Sequence, residues 1–144
     1  MKKGFTLIYF ITVIAANSKA AVIDTVITYS TSMHKNIKAV VIKPNSYDTI
    51  KQIPVVYLLH GYSDNYAGWV AKAKGVEALA DEYNILIVCP DGGYSSWYWD
   101  SPVDTSYKYE TYVATELVKW VDTHYRTIAD KSKRVLDGPD NTVV

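Results

Sequence analysis

A single cysteine, no surplus of either charge and no apolar run long enough to cross a bilayer comfortably narrow this chain before any motif is read. Cys89 has no partner for an internal disulfide, and the following Pro90-Asp91-Gly92-Gly93 offers no base to activate a thiol, so it reads as an inert core residue. Fifteen basic residues balance fifteen acidic ones. That leaves no electropositive footprint, and no nucleic-acid partner is expected. The longest apolar stretch, Phe5 to Ala16, follows Lys2 and Lys3 and precedes the small residues of Ser18-Lys19-Ala20. It has the form of a secretory signal peptide over residues 1–20, cut after Ala20, with no stable membrane anchor remaining and a secreted or periplasmic destination. Losing Lys2, Lys3 and Lys19 makes the remaining chain slightly acidic. The residues fix no oligomeric state.

What is abundant is aromatic: thirteen tyrosines and four tryptophans in 144 residues. Val22 to Tyr29 and Ile37 to Lys43 alternate with period two, which predicts two strands forming an antiparallel edge pair joined by the polar loop Ser30 to Asn36. His34, in that loop with no acidic neighbour, reads as solvated. Val55-Val56-Tyr57-Leu58-Leu59 is a continuous apolar run ending abruptly at His60-Gly61, the pattern of a strand buried on both faces inside a parallel sheet. Ala67 to Tyr83 then repeats Val76, Leu79, Ala80 and Tyr83 at helical spacing, with Gly75 interrupting or starting the helix. Ile85 to Cys89 supplies a second buried strand and completes a right-handed crossover. Both strands aim their carboxyl ends at one edge of the sheet, where ligands of open α/β sheets collect.

The loop leaving the second strand, Asp91 to Pro102, holds Trp97, Tyr98 and Trp99 among Gly, Ser and Pro. Two readings stand side by side: a packed loop that uses its aromatics as plugs, and an aromatic wall against an acyl group, a phenolic acid or a sugar face. Tyr109 to Tyr125 predicts the best helix of the chain, with Val113, Leu117, Trp120, Val121 and His124 on its inner face, Glu110, Glu116 and Asp122 away from it, and Ser106 as a cap.

The string Tyr57-Leu58-Leu59-His60-Gly61-Tyr62-Ser63-Asp64-Asn65-Tyr66-Ala67-Gly68-Trp69, followed by Ile87-Val88-Cys89-Pro90-Asp91-Gly92-Gly93, resembles the Putative esterase family of α/β-hydrolases. That family takes in S-formylglutathione hydrolases of the esterase D type, feruloyl and acetyl esterases, and mycolyltransferases. The resemblance runs from about Val22 to Arg134. It implies an α/β-hydrolase fold, an oxyanion-binding backbone N–H at Tyr62 and a structural turn at His60 and Gly61, with no cofactor and no metal; Trp97, Tyr98 and Trp99 stay the candidate substrate-binding residues under the second of the two readings of their loop.

After Arg134 the family pattern calls for a strand and Gly-x-Ser-x-Gly, and the chain reads Val135-Leu136-Asp137-Gly138-Pro139-Asp140-Asn141. Residues 21–134 are therefore expected to form the amino-terminal part of the hydrolase domain, and residues 135–144 an aberrant or unstructured tail from a broken reading frame or a mis-called gene end. With the nucleophile, acid and base all missing, the expected function is that of an exported carboxylic-ester hydrolase, acting on a small-molecule or polysaccharide acetyl or feruloyl ester, represented here by a truncated and inactive form. Loss of the strand after Arg134 is further expected to leave Val55–Leu59 as an exposed apolar edge. The alternative is a non-catalytic carbohydrate- or ligand-binding fragment of the same fold.

Overall fold

The computed structural model describes residues 20–138. The signal-peptide reading of residues 1–20 falls almost wholly outside them.

Five strands form one mixed sheet in the order β1-β2-β4-β3-β5: β1 (Val22–Ser30), β2 (Lys35–Lys43), β3 (Val55–Leu58), β4 (Leu86–Pro90) and β5 (Arg134–Asp137). The antiparallel β1–β2 pair is longer than its alternation suggested, because the connecting turn shrinks to residues 31–34 and places His34 at a left-handed φ of 52°. β2 meets β4 antiparallel, while β3 lies parallel to both β4 and β5.

The apolar runs of β3 and β4 are buried on both sides because helices cover both faces. On one face Ala39, Val41, Val55, Tyr57, Leu86 and Val88 pack against Tyr112, Val113, Leu117 and Val121. On the other, Val40, Ile42, Ile87 and Cys89 pack against Val76 and Ala80. The expected helix over residues 67–83 is two helices, α1 (Gly68–Lys72) and α2 (Val76–Tyr83), broken at Gly75, whose φ of 89° favours glycine. Eight residues cover only part of the sheet. Val76 and Ala80 reach it, and Leu79 and Tyr83 stand exposed.

The long helix runs as α3 (Tyr109–Thr111), a π-helical stretch Tyr112–Leu117 and α4 (Val118–His124). The wider π turns, with i→i+5 bonding, rotate residues that an ideal helix would leave elsewhere. Tyr112 comes inward and shares a 2.6 Å hydrogen bond with the Thr28 hydroxyl. Glu116, expected to face away, accepts from Ser30 Oγ at 2.6 Å and Ser32 N–H at 2.8 Å and so ties the helix to the hairpin. His124 is exposed and stacks on Trp120, ring centroids 4.1 Å apart. Ser106 does not cap the helix. Asp100 does that work from the preceding loop, accepting from the Thr111 N–H at 3.1 Å and hydroxyl at 2.5 Å.

The expectation for residues 135–144 is corrected at its start. Arg134 to Asp137 pair in register with Val55 to Leu58, so the edge of β3 is covered and Val135–Asp137 belong to the sheet. Asp137-Gly138-Pro139 looks like turn chemistry, yet strand formation here is decided by the waiting edge of β3, which satisfies the backbone of any short segment laid beside it. Arg134 anchors the start of the strand on Asp122, which also accepts from the Thr127 hydroxyl.

Candidate active site

The carboxyl ends of β3, β4 and β5 lie side by side, and their loops converge. Leu59, just past β3, is held from two sides: its N–H donates to Asp137 O at 2.7 Å, and its carbonyl accepts from Trp69 Nε1 at 3.0 Å.

His60 follows, 7 % exposed, with its N–H and both ring nitrogens engaged. Its N–H donates to Tyr98 Oη at 3.0 Å, Nδ1 lies 2.8 Å from Gly61 O, and Nε2 accepts from the Gly92 N–H at 2.8 Å. Burial disfavours a charged imidazole and Asp91, with a carboxylate oxygen 3.8 Å from Nε2, favours it, the net direction being upward. The Gly92 N–H nevertheless occupies the Nε2 lone pair, so a proton arriving there has to break that bond. The imidazole is therefore neutral and carries its hydrogen on Nδ1, where it donates to Gly61 O. In this state it clamps the β3 loop to the β4 loop and is not available as a base.

Tyr62 is 56 % exposed at the mouth of a small cleft lined by Gly61, Tyr94, Ser96, Trp97 and Gly138. The two N–H groups that follow it in the turn are used: Ser63 donates to Tyr94 O at 2.9 Å and Asp64 to Gly61 O at 3.2 Å. The Tyr62 N–H has no hydrogen-bond acceptor among the described residues. The turn is further stiffened by the Asp64–Lys72 ion pair at 2.8 Å, which helps hold the Asp64 carboxyl below the usual carboxylate range. Gly68 leaves room for this carboxylate, since a Cβ there would fall 2.3 Å from Asp64 Oδ2 and displace it. The enclosed void of the cleft is about 20 Å³. That is room for one oxygen-sized group, not for an acyl chain.

The three aromatics singled out in the β4 loop separate. Tyr98 is a plug, 6 % exposed, its ring set edge-on to His60 and its hydroxyl pushed well above the ordinary tyrosine value by burial. Trp97 and Trp99 are turned out, 58 % and 55 % exposed. Trp97 stacks on Tyr62 at 5.7 Å, and Tyr94 meets Tyr62 edge-on at 5.2 Å.

The clamp formed by the Gly92 N–H and the Tyr98 hydroxyl was not visible in the sequence, because a backbone donor carries no residue signature. Gly138 was visible and misread. It stands at the end of β5, where a Cβ would lie 3.2 Å from Leu59 O, and it lines the cleft.

A family model described as Putative esterase matches residues 30–139. An esterase of Mycobacterium tuberculosis is 31% identical over 102 residues, covering 68% of this chain and 22% of its own. An acetyl esterase of Caldicellulosiruptor saccharolyticus is 28% identical over 88 residues, covering 61% and 32%. Among solved structures, a ferulic acid esterase superposes with a TM-score of 0.71 at 27% identity over 83% of this chain and 51% of its own. The chain thus spans a third or less of these curated relatives and about half of the solved structure.

Proposed function

Because this chain belongs to the Putative esterase family, we propose that it carries the oxyanion-binding side of an exported carboxylic-ester hydrolase, with the Tyr62 N–H as donor to the substrate carbonyl. One observation carries the reading: in a turn braced by the Ser63 and Asp64 N–H groups, the Tyr62 N–H has no acceptor among the described residues, and Tyr62 lines an oxygen-sized cleft. A preorganised donor of this kind costs nothing to orient when charge develops on the carbonyl oxygen. His60 and Gly61 set its direction and take no part in proton transfer. The exposed aromatics beside the cleft suit an acetyl or feruloyl ester, a small molecule or one carried on a polysaccharide, and residues 1–20 supply the address for export.

An activated nucleophile is the part this reading does not find. The 144 residues contain no Gly-x-Ser-x-Gly, and the histidine nearest the cleft is committed to the clamp. The polypeptide by itself is therefore expected to show no turnover of p-nitrophenyl acetate and no labelling by a fluorophosphonate. Turnover that a serine-directed inhibitor abolishes would overturn this part. The donor is tested in a hybrid that continues residues 21–138 with the carboxyl-terminal half of a ferulic acid esterase. Tyr62→Pro, which removes the N–H, should lower kcat about 10²- to 10³-fold, and Tyr62→Phe should leave it nearly unchanged. Equal effects of the two substitutions would show that the backbone donor plays no part.

The same aromatics support the second reading, a non-catalytic carbohydrate-binding role, which differs in requiring binding without turnover.

A further inference from the structure

β1 is the outermost strand on its side of the sheet and carries a free backbone edge along its nine residues. We infer that this edge is a dimer interface, at which β1 of a second copy of the chain pairs antiparallel to it about a two-fold axis through Val26. The interface is independent of the Tyr62 cleft and of any ester chemistry.

The hydrogen-bond phase of the sheet fixes which residues face outward. Asp91 N–H donates to Lys38 O at 2.9 Å, so Lys38, and with it Val40 and Ile42, turns its backbone groups toward β4. Alternate residues of a strand face opposite edges, so Ile37, Ala39 and Val41 turn to β1 and meet Thr28, Val26 and Asp24. The N–H and C=O groups of Ile23, Thr25, Ile27 and Tyr29 therefore point out of the sheet, with no partner strand among the described residues. The side chains of the same four residues are exposed, on the face where α2 packs over β2 and β4 but not over β1. Natural edges are ordinarily shielded by a proline, a bulge or an outward charge. β1 has no proline, pairs with β2 without a bulge, and its one charge, Asp24, lies on the other face in an ion pair with Lys43 at 2.8 Å.

The strand is complementary to itself. Backbone phase admits only pairings in which outward-facing residues oppose one another, and an axis at Val26 gives the longest of them. Ile23 of one copy then faces Tyr29 of the other, and Thr25 faces Ile27, each pair exchanging both backbone bonds. Aromatic and β-branched side chains are thereby set opposite one another on one face, the kind of pair that stabilises a sheet. No charge opposes its like. Asp24 falls opposite Thr28, whose hydroxyl is bonded to Ile37 O and to Tyr112. At the end of the strand Glu116 is held by Ser30 and Ser32, and Lys35 by Ser106 O and Tyr109. Lys38, beside Ile27 on the exposed face, lies over the Tyr66 ring. The pairing occupies the β1 edge of both copies, so the assembly closes at two. Strand direction reverses between the copies, which leaves the two Tyr62 clefts at opposite ends of the joined sheet.

Light scattering of the 144-residue chain after size exclusion reads the state directly, and the mass of two chains is expected. Thr25→Pro removes an outward N–H that β2 does not use, so it should keep the fold and raise the dissociation constant at least tenfold. Ile27→Lys, at an exposed position, should do the same and serves if Thr25→Pro does not fold. Thermal melts establish which variants are folded. Val26→Cys should form an intermolecular disulfide on mild oxidation, because the axis sets this residue opposite itself with Cβ atoms ~4.5–5.5 Å apart. Ile23→Cys should not, since its two copies lie about 20 Å apart along the strands. Cys89 is buried and does not compete. A parent with the mass of one chain at its highest soluble concentration overturns the inference. So does a folded Thr25→Pro or Ile27→Lys that stays associated, as pairing through β5 or through residues 1–20 would give, and so does a Val26→Cys that cross-links no better than Ile23→Cys.

Discussion

Tyr98→Phe isolates the clamp that holds the two site loops together. The substitution keeps the ring, and with it the edge-on contact to His60 at 5.5 Å and the packing of a residue 6 % exposed. It deletes one atom, Oη, the acceptor for the His60 N–H at 3.0 Å. The other bond of the hydroxyl, to Pro90 O, is 3.5 Å long and contributes little. The His60 N–H is then a buried donor with no acceptor, which costs about 1–3 kcal/mol. Part of that is offset because the phenylalanine no longer has a hydroxyl to desolvate. A net loss of about 1.5 kcal/mol is expected, roughly a tenfold fall in the folding equilibrium constant.

Urea unfolding followed by tryptophan fluorescence reads this directly, since Trp69 is bonded to Leu59 O next to the clamp. With a urea m-value of about 1.5 kcal/mol/M for a chain of this size, the midpoint should fall by about 1 M with m unchanged. Tyr94→Phe on the same loop, exposed and without a side-chain hydrogen bond among the described residues, should shift the midpoint by less than a third of that. Amide exchange localises the effect: the His60 N–H should lose protection in Tyr98→Phe, while the amides of β4 keep theirs. Equal midpoints for the two variants would show that Tyr98 fills space and does not brace His60.

Two other substitutions test the frame. Asp100 has its carboxyl held below the ordinary value: burial alone would raise it, but the Thr111 hydroxyl and N–H outweigh that. Its contribution is therefore present above the unfolded-state value near 3.8 and lost as pH falls through the lower folded one, so urea midpoints measured from pH 6 to pH 3 should decline less steeply in Asp100→Asn than in the parent. Gly138→Ala would put a Cβ 3.1 Å from that of Leu59 and 3.2 Å from its carbonyl oxygen, forcing β5 away from β3; a loss of about 1–2 kcal/mol is expected, read by the same unfolding assay and by weakened protection of the Leu59 N–H.

The parts of the fold legible in the sequence are those that depend on burial. Val55 to Leu59 and Ile85 to Cys89 are apolar without a break because helices lie on both faces, and Val113, Leu117 and Val121 recur at helical spacing because they meet the sheet. The parts that were not legible depend on partners. Leu79 and Tyr83 fit the apolar stripe of α2 but find nothing to pack against. Tyr112 and Glu116 are drawn inward by a π-helical stretch that a fixed 3.6-residue period does not anticipate. β5 exists because β3 offers it an edge, and Asp137 and Gly138 predict a turn when read alone.

The site shows the same division at closer range. The resemblance to the esterase family implied a structural turn at His60 and Gly61 and an oxyanion-binding N–H at Tyr62, while the loop that carries them is braced by bonds to groups far along the chain: Gly92 N–H on the imidazole, Tyr98 Oη on the His60 N–H, Tyr94 O on the Ser63 N–H. Two of those three connections use backbone atoms of the β4 loop, which any residue could supply. The histidine is consequently explained by its capacity to accept on one ring nitrogen and donate from the other across a gap between two loops. Asparagine has both functions but sits closer to its own backbone, and lysine cannot accept. Imidazole spans the gap, and the histidine beside the cleft thereby serves geometry, holding the β3 loop to the β4 loop.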